Sequence, residues 1–460
     1  MSADIPQCDI AVLGAGPAGS AAAIGLARRG WNVRLISAAR RGGIEGASAR
    51  TAATVAGLHL DQIGRLFRDT VPGVVFWGAS KPTHREEFLV ERASLDRALH
   101  LDALGAGVQF EQERVLTVTQ NDRGWLIATS RGFTQSSAVV DARGRNLQGA
   151  VRRGPTLVAL RQTFVGVRGR PCTLVVQGDD AWFWLAVTHD GTGQLIAVCD
   201  PRAARSNRLT ATGQFDTARL PAAILDLIAD ATPQDRASAC AATATYSNPT
   251  IAEGYLRHGD AALAMDPLSG NGMFEALSST PIAVAAIDTW LHSGDWKAVQ
   301  QFVDERATAI WNKKVAVAAD LYAHAAATCE AAYRPFWMET SRAYRRAALV
   351  EPPASDAELR IVMRPVVNEH RIEQRPVLVG PRWPRGIWRC GTLDIAQVVT
   401  AALEPGVDPT RLADSLELSA AETTRIVQWI RAHASQLEFQ LHGLPNAMGM
   451  GSPRWLMSAK

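Results

Sequence analysis

The stretch CDIAVLGAGPAGSAAAIGLARRGWNVRLIS, Cys8 to Ser37, limits the possible folds of this chain more than any other. A short apolar run, Asp9 to Leu13, of the kind a buried parallel strand needs, leads into a glycine turn. An alanine-rich helical stretch, Ala18 to Arg29, follows, and Gly30 stops it. A second apolar strand, Asn32 to Ile36, completes the unit. Within it Gly14 allows the tight turn, Gly16 lets a pyrophosphate approach the backbone, and Gly19 lets helix and strand pack closely. The spacing alone is weak; between a strand and a helix it points to a dinucleotide site. Ser37 stands where an acidic residue usually holds the adenosine ribose and offers only a hydroxyl. Arg40 and Arg41 either lie against the adenosine or its phosphates or form a solvated loop pair.

A chain of 460 residues, 47% hydrophobic and 20% charged, is long enough for two or three domains. A net charge of +3 is small for that length and gives no argument for nucleic acid or membrane as a partner. The six cysteines are scattered, with no CxxC pair and no metal-ligand spacing, so reduced thiols and no metal are expected. The first apolar run, Ile10 to Leu26, follows Asp4 and Asp9 and is broken by Gly14, Gly16, Pro17 and Gly19. Neither a signal peptide nor a membrane span is expected, and the cytoplasm is the expected compartment.

Three further segments bear on the dinucleotide site. In VERASLDRALHLDALGAGVQF, Arg92 and Asp96 precede a helix running to about Leu104, with Ser94 as the expected N-cap. AVVDARGR reads as a strand ending at Asp141 with a tight turn at Gly144. In YLRHGDAALAMDPLSGNGMFEALSS, Asp260 follows an exposed turn, and Pro267, Gly270 and Gly272 lead into a helix. Amides at such a helix start can face a flavin pyrimidine edge, and Asp260 can accept from ribityl hydroxyls.

GAGPAGS, VERASLD, VVDARGR and GDAALAMDPLSGNG, in this order, resemble the recurring segments of the FAD-dependent aromatic hydroxylases and halogenases, a flavoprotein monooxygenase family of one fold. The resemblance spans roughly residues 8 to 345. It implies an α/β fold: a Rossmann-like FAD-binding domain with an antiparallel β-sheet substrate domain. It implies non-covalent FAD, with Gly14, Gly16, Gly19 and Ser20 around the pyrophosphate, Arg92 along the cofactor, Asp260 on the ribityl chain, and Pro267, Gly270, Asn271 and Gly272 facing the isoalloxazine. No second GxGxxG is present, so the reductant is expected to be a visiting NAD(P)H or a source of reduced flavin, with molecular oxygen as co-substrate.

Departures from the halogenases favour oxygen transfer. In that family a lysine near the substrate receives hypochlorous acid, and in tryptophan-halogenating members it lies on the loop after the second strand. Residues 1 to 80 contain no lysine here, and the arginines of RRGGIEGASARTAATVAGL stay protonated. Lys81 reads as a solvated surface residue. Ser269 stands where tryptophan halogenases carry a catalytic glutamate. The WxWxIP barrier is altered: Trp182 and Trp184 are present, but Leu185 and Ala186 replace Ile and Pro. The two tryptophans either line the substrate pocket or pack one face of a sheet. The resemblance implies direct oxygen transfer from a flavin C4a-hydroperoxide, for which the protein supplies a dry cavity and holds an electron-rich ring in place. No catalytic base is identified; His59, His84 and His189 are candidates by residue type alone.

Pro155 to about Ser247 is rich in β-type runs, with HDGTG as a turn between two strands. The expected division is 1–75, 92–154 and 248–350 for the FAD-binding domain and 76–91 with 155–247 for the β-rich substrate domain. A linker at Pro352–Pro353 then leads to a small helical, winged-helix-like C-terminal domain, 354–460, with Thr392, Asp408 and Ser419 at cap positions. That tail has no basic face, which favours protein docking over nucleic acid. Within the family the chain is most similar to the flavoprotein monooxygenases of tryptophylquinone biogenesis, of the quinohemoprotein amine dehydrogenase maturation type. This implies hydroxylation, expected twice, of a tryptophan side chain in a polypeptide. Two other readings stay open: a small-molecule indole or phenol hydroxylase or halogenase, and a non-catalytic flavin-binding maturation chaperone.

Overall fold

The computed structural model describes residues 5–39, 42–78, 81–145, 151–205, 210–211, 213–247, 250–349, 360–380, 383–390 and 393–394. The chain divides into two units, Met1–Leu349 and Val350–Lys460.

The first unit contains the expected parallel sheet. Gln7–Leu13 is its central strand, between Phe133–Asp141 and Val33–Ile36; Gln109–Glu111 lies beyond the latter and Tyr255–Arg257 beyond the former. These pairings are all parallel, and the register sets Leu13 beside both Ile36 and Asp141, with Asp141 beside Arg257. The strands that must bury both faces do so: Ile10, Ala11, Val12 and Leu13 are inaccessible to solvent, as are Ala138, Val139 and Val140. The helix Pro17–Ala27 is buried along most of its length. Its alanines allow the close approach to the sheet and to the helix Thr280–Ser293 that bulkier side chains would prevent.

The second sheet runs, in spatial order, through Val158–Val165, Gly193–Cys199, Ala181–Val187, Cys172–Gln177, Thr70–Phe76, Thr83–Glu91 and Ile44–Ala47. It is antiparallel as expected except at one place, where Cys172–Gln177 runs parallel to Thr70–Phe76. HDGTG is the turn between Ala181–Val187 and Gly193–Cys199, held by the Thr188 amide on Thr192 O at 2.9 Å. Two strands drawn from the sequence into the FAD-binding domain, Ile44–Ala47 and Thr70–Phe76, belong to this sheet instead, because both find their backbone partners on Thr83–Glu91. The sheet also curls: the Gln194 amide brackets Ile44, accepting from its N–H at 2.9 Å and donating to its carbonyl at 3.1 Å.

Alternation along Ala181–Val187 sends its aromatics to opposite faces. Phe183 joins Leu174, Leu195 and Ile224 in one core. Trp182 and Trp184 face the other core, built around Trp311, Tyr322, Trp337, Tyr344 and Met265. That second core is supplied by the helices Trp296–Thr328 and Arg334–Ala347.

Ser94 does not cap its helix. The strand Thr83–Glu91 runs directly into the helix Arg92–Gly105 with Glu91 at the cap position, so Ser94 lies within the first turn. The Arg92 amide donates to Gly43 O at 2.8 Å and its guanidinium pairs with Glu45, which anchors the helix start three residues earlier than a Ser94 cap would, Glu91 against Ser94.

In the second unit the described residues form an antiparallel sheet, Arg360–Asn368, Arg371–Gly380 and Trp383–Ile387, around Val366, Val377 and Val379. This sheet was not anticipated in the tail. The helical patterns expected from Thr392 onward, and the Pro352–Pro353 linker, lie outside the described residues; only Leu393–Asp394 is described, paired with Arg389–Cys390. No helix among the described residues is long and apolar enough to cross a membrane, and no cluster of metal-ligating side chains occurs among them.

Candidate active site

The sheet register brings three of the sequence segments together. Leu13, Asp141 and Arg257 end adjacent parallel strands, so GAGPAGS, ARGR and HGDAA all leave the same edge of the sheet at its carboxyl end. That edge is where open parallel sheets bind their ligands. The AVVDARGR segment is therefore part of the site: a Cβ on Gly14 would lie 2.6 Å from Ala142 O. Gly14 also has φ +99°, which favours glycine. Beneath it Asp141, fully buried, accepts from the Arg143 guanidinium and from Tyr255 Oη at 2.5 Å.

Gly19 has a packing reason, since its Cβ would fall 1.9 Å from Gly14 O. Gly16 has φ −77° and ψ 179°, a backbone any residue adopts, and it caps a helix that has no side-chain cap and no acid in its first turn. Ser20 Oγ, at that helix start, is buried and has no hydrogen-bond partner. Free helix amides, an orphaned hydroxyl and a glycine without a conformational reason fit a pyrophosphate. Gly259, at φ +60°, lets the turn carrying Asp260 press on this helix; a Cβ there would lie 2.5 Å from Ala18 Cβ.

Asp260 is partly exposed, and one of its oxygens accepts from Arg145 Nε at 3.2 Å. Arg145 Nη2 donates to Met265 O at 2.7 Å, while its Nη1 is buried with no partner. Arg145 thus joins the site as a residue the sequence reading passed over; its signal was only its place in the ARGR segment. Pro267–Ser269 is a single tight helical turn, and Gly270 follows in the left-handed region at φ 59°. Gly270 and Gly272 are exposed with open space where a Cβ would stand, which fits a flat ring lying over them. Asn271 Nδ2 is turned back onto Ser269 O at 2.7 Å. Arg92 is paired with Glu45 of the curled strand. Together these residues fit FAD.

Trp182 is 3% exposed, and its indole N–H donates to Tyr322 Oη at 3.0 Å, so it belongs to the core. Trp184 is half-buried and stands 3.4 Å from where a Cβ of Gly46 would lie. His59, His84 and His189 are all exposed, and so is Lys81. Of the four described lysines only Lys314 is half-buried, and it is held by Glu275 at 2.5 Å, just past the turn from Pro267 to Gly272. Nothing in the sequence brings Lys314 to that turn, because it comes from the distant helix Trp296–Thr328. A cleft of about 830 Å³ lined by Leu157, Arg202, Tyr333, Phe336, Thr340 and Arg346 includes none of the site residues.

No family model matches the sequence, and no curated protein does. Solved structures do. The peptidyl tryptophan dihydroxylase QhpG, essential for tryptophylquinone cofactor biogenesis, is 28% identical over 92% of this chain and 99% of its own, with a TM-score of 0.75. The flavin-dependent halogenase CmlS is 17% identical over 93% of this chain and 95% of its own, at 0.70. The myxobacterial chondrochloren halogenase CndH, an FAD-dependent enzyme, is 21% identical over 76% of this chain and 87% of its own, at 0.61. The fold is that of the flavin-dependent hydroxylases and halogenases.

Proposed function

We propose that this chain, a flavoprotein monooxygenase of the hydroxylase and halogenase fold, binds FAD and hydroxylates a tryptophan side chain within a polypeptide, adding oxygen twice during the biogenesis of a quinone cofactor. The observation that carries the reading is the end-to-end correspondence with a peptidyl tryptophan dihydroxylase at 28% identity. The halogenases CmlS and CndH reach only 17% and 21%.

The residues of the chain divide the work as follows. The amides after Gly14, with Ser20, receive the pyrophosphate; Asp260, oriented by Arg145, receives the ribityl hydroxyls; the turn from Pro267 to Gly272 receives the pyrimidine edge. Bound and reduced, FAD supplies the activation of molecular oxygen. Trp184, Ile196 and Leu268 are half-buried apolar groups at the margin of the aromatic core. They offer a surface that excludes water and on which an indole can lie. Lys314 is engaged by Glu275, and Lys81, the lysine nearest the loop, is exposed, so the halogen-carrying amine of the halogenases has no counterpart on that loop. Electrons come from NAD(P)H or a reduced-flavin source. Cys8, Cys172, Cys199, Cys240 and Cys329 are free thiols, which suits the reducing cytoplasm as the place of action.

The test is mass spectrometry of a tryptophan-bearing partner polypeptide after reaction with reductant and isotopically labelled oxygen, in high bromide. Labelled oxygen on the tryptophan and no bromine is expected. Brominated product in comparable amount returns the chain to the halogenases; oxygenation of free tryptophan alone makes it a small-molecule hydroxylase.

A further inference from the structure

Between the ribityl-binding turn and the flavin-facing turn lies a buried acid to which nothing above gives a task. Asp266 is 4% exposed. Its Oδ1 accepts from the Leu268 amide at 2.8 Å, and its Oδ2 accepts from Tyr322 Oη at 3.0 Å and from Tyr344 Oη at 2.5 Å. Tyr322 in turn accepts from the Trp182 indole at 3.0 Å. The donors come from separate elements: the turn itself, the helix Trp296–Thr328 and the helix Arg334–Ala347, with Trp182 on the sheet strand Ala181–Val187 one step further.

We propose that Asp266 is a positioning residue, which fixes the flavin-facing turn Pro267–Gly272 against the aromatic core and couples its position to Trp182 of the substrate sheet. The inference rests on the FAD site proposed above. A turn this short has little of its own to hold it. Besides Asp266 Oδ1, its internal bonds are the Ser269 amide on Asp266 O at 3.1 Å, the Gly270 amide on Pro267 O at 3.0 Å, and the Asn271 side chain and amide on Ser269 O and Oγ at 2.7 and 3.5 Å. A carboxylate out of water is costly unless its lone pairs are filled, and an apolar side chain would fill the same space at lower cost. Burial pushes the Asp266 carboxyl up, and the bonds from Tyr344, Leu268 and Tyr322 offset this only in part, so it stays above the usual carboxylate range. Burial, with Asp266 beside them, drives both phenols well above their usual range, so both stay protonated and donate. What the acid provides is directional: two hydroxyls from two helices converge on one oxygen while the other oxygen holds the turn.

The experiment compares Asp266→Asn and Tyr344→Phe with the parent chain. In the first, one side of the carboxamide cannot accept, so either the converging hydroxyls or the Leu268 amide loses its acceptor and the link between turn and helices is broken; in the second, the ring still fills the core and one donor is gone. Loss of such a buried bond predicts FAD dissociation constants raised about tenfold in both. A shifted visible spectrum and midpoint potential of the bound flavin, and more reductant consumed per product, are also expected. Unchanged dissociation constant, spectrum and potential in both variants, with only the melting temperature of the apoprotein lowered, would make Asp266 part of the core and nothing more. If the asparagine variant does not fold, Tyr344→Phe decides by the same measurements. Failure of the parent chain itself to take up FAD defeats the flavin reading instead, so the two failures are distinct.

Discussion

Gly16 shows how a single residue can report on a ligand. Gly14 and Gly19 are required by the protein itself, through a positive φ at the first and a 1.9 Å clash at the second. Gly16 stands in ordinary backbone with no such φ, and the proposed pyrophosphate is what would ask for a glycine there. Gly16→Val should therefore fold and lose at least about nine-tenths of its FAD uptake; full flavin occupancy in the purified variant would remove the cofactor assignment. His258, beside the turn that carries Asp260, makes a different prediction. It is fully buried, its Nε2 has no partner, and burial pulls its pKa down to about 4. Because the folded value lies below the unfolded one, the unfolded chain binds this proton more tightly. Stability from the neutral imidazole is complete above about pH 6.5 and is lost as pH falls toward 4, by about 3 kcal/mol at most. Denaturant midpoints at pH 7 and 4.5 should differ less in His258→Gln than in the parent chain; an equal drop in both would refute the assignment.

At the scale of elements, the site is a set of strand ends held in line by register and kept close by glycines. Gly259 is the clearest case, because its φ of +60° and its contact with Ala18 bring the Asp260 turn onto the first helix. Gly259→Ala adds a strained backbone, costing about 1 to 3 kcal/mol, and a methyl group 2.5 Å from another. The turn has to shift, and FAD affinity should fall about tenfold while circular dichroism stays unchanged. Wild-type affinity in that variant would show that the two segments do not share one ligand. The same scale explains the tryptophan pair. Alternation predicts that Trp182 and Trp184 share a face, and they do; which of them is buried depends on Tyr322, a residue of another element.

At the scale of the whole molecule, the division after Leu349 allows the two units to be separated in an experiment. Every residue assigned to FAD lies before it. A chain ending near residue 353 should fold, remain yellow and oxidise reductant with release of peroxide, while its turnover of a polypeptide substrate falls steeply, because docking supplies the positioning. Undiminished turnover of the polypeptide would defeat a docking role for the tail, and loss of flavin would make the tail structural. The sequence alone determined the dinucleotide unit, the FAD segments and the β-runs of the middle region, because each is a local pattern: a glycine spacing, an apolar period, a turn dipeptide. Only the tertiary structure decided that Ile44–Ala47 and Thr70–Phe76 join the substrate sheet, since strand partners are chosen by long-range pairing. It also decided that Glu91 and not Ser94 starts a helix, since the Arg92 contacts to Gly43 and Glu45 set that boundary. Arg145, Lys314 and the Asp266 network were hidden for the same reason: a buried carboxylate met by two tyrosines from two helices has no spacing along the chain, and exists only once the helices and the sheet have packed.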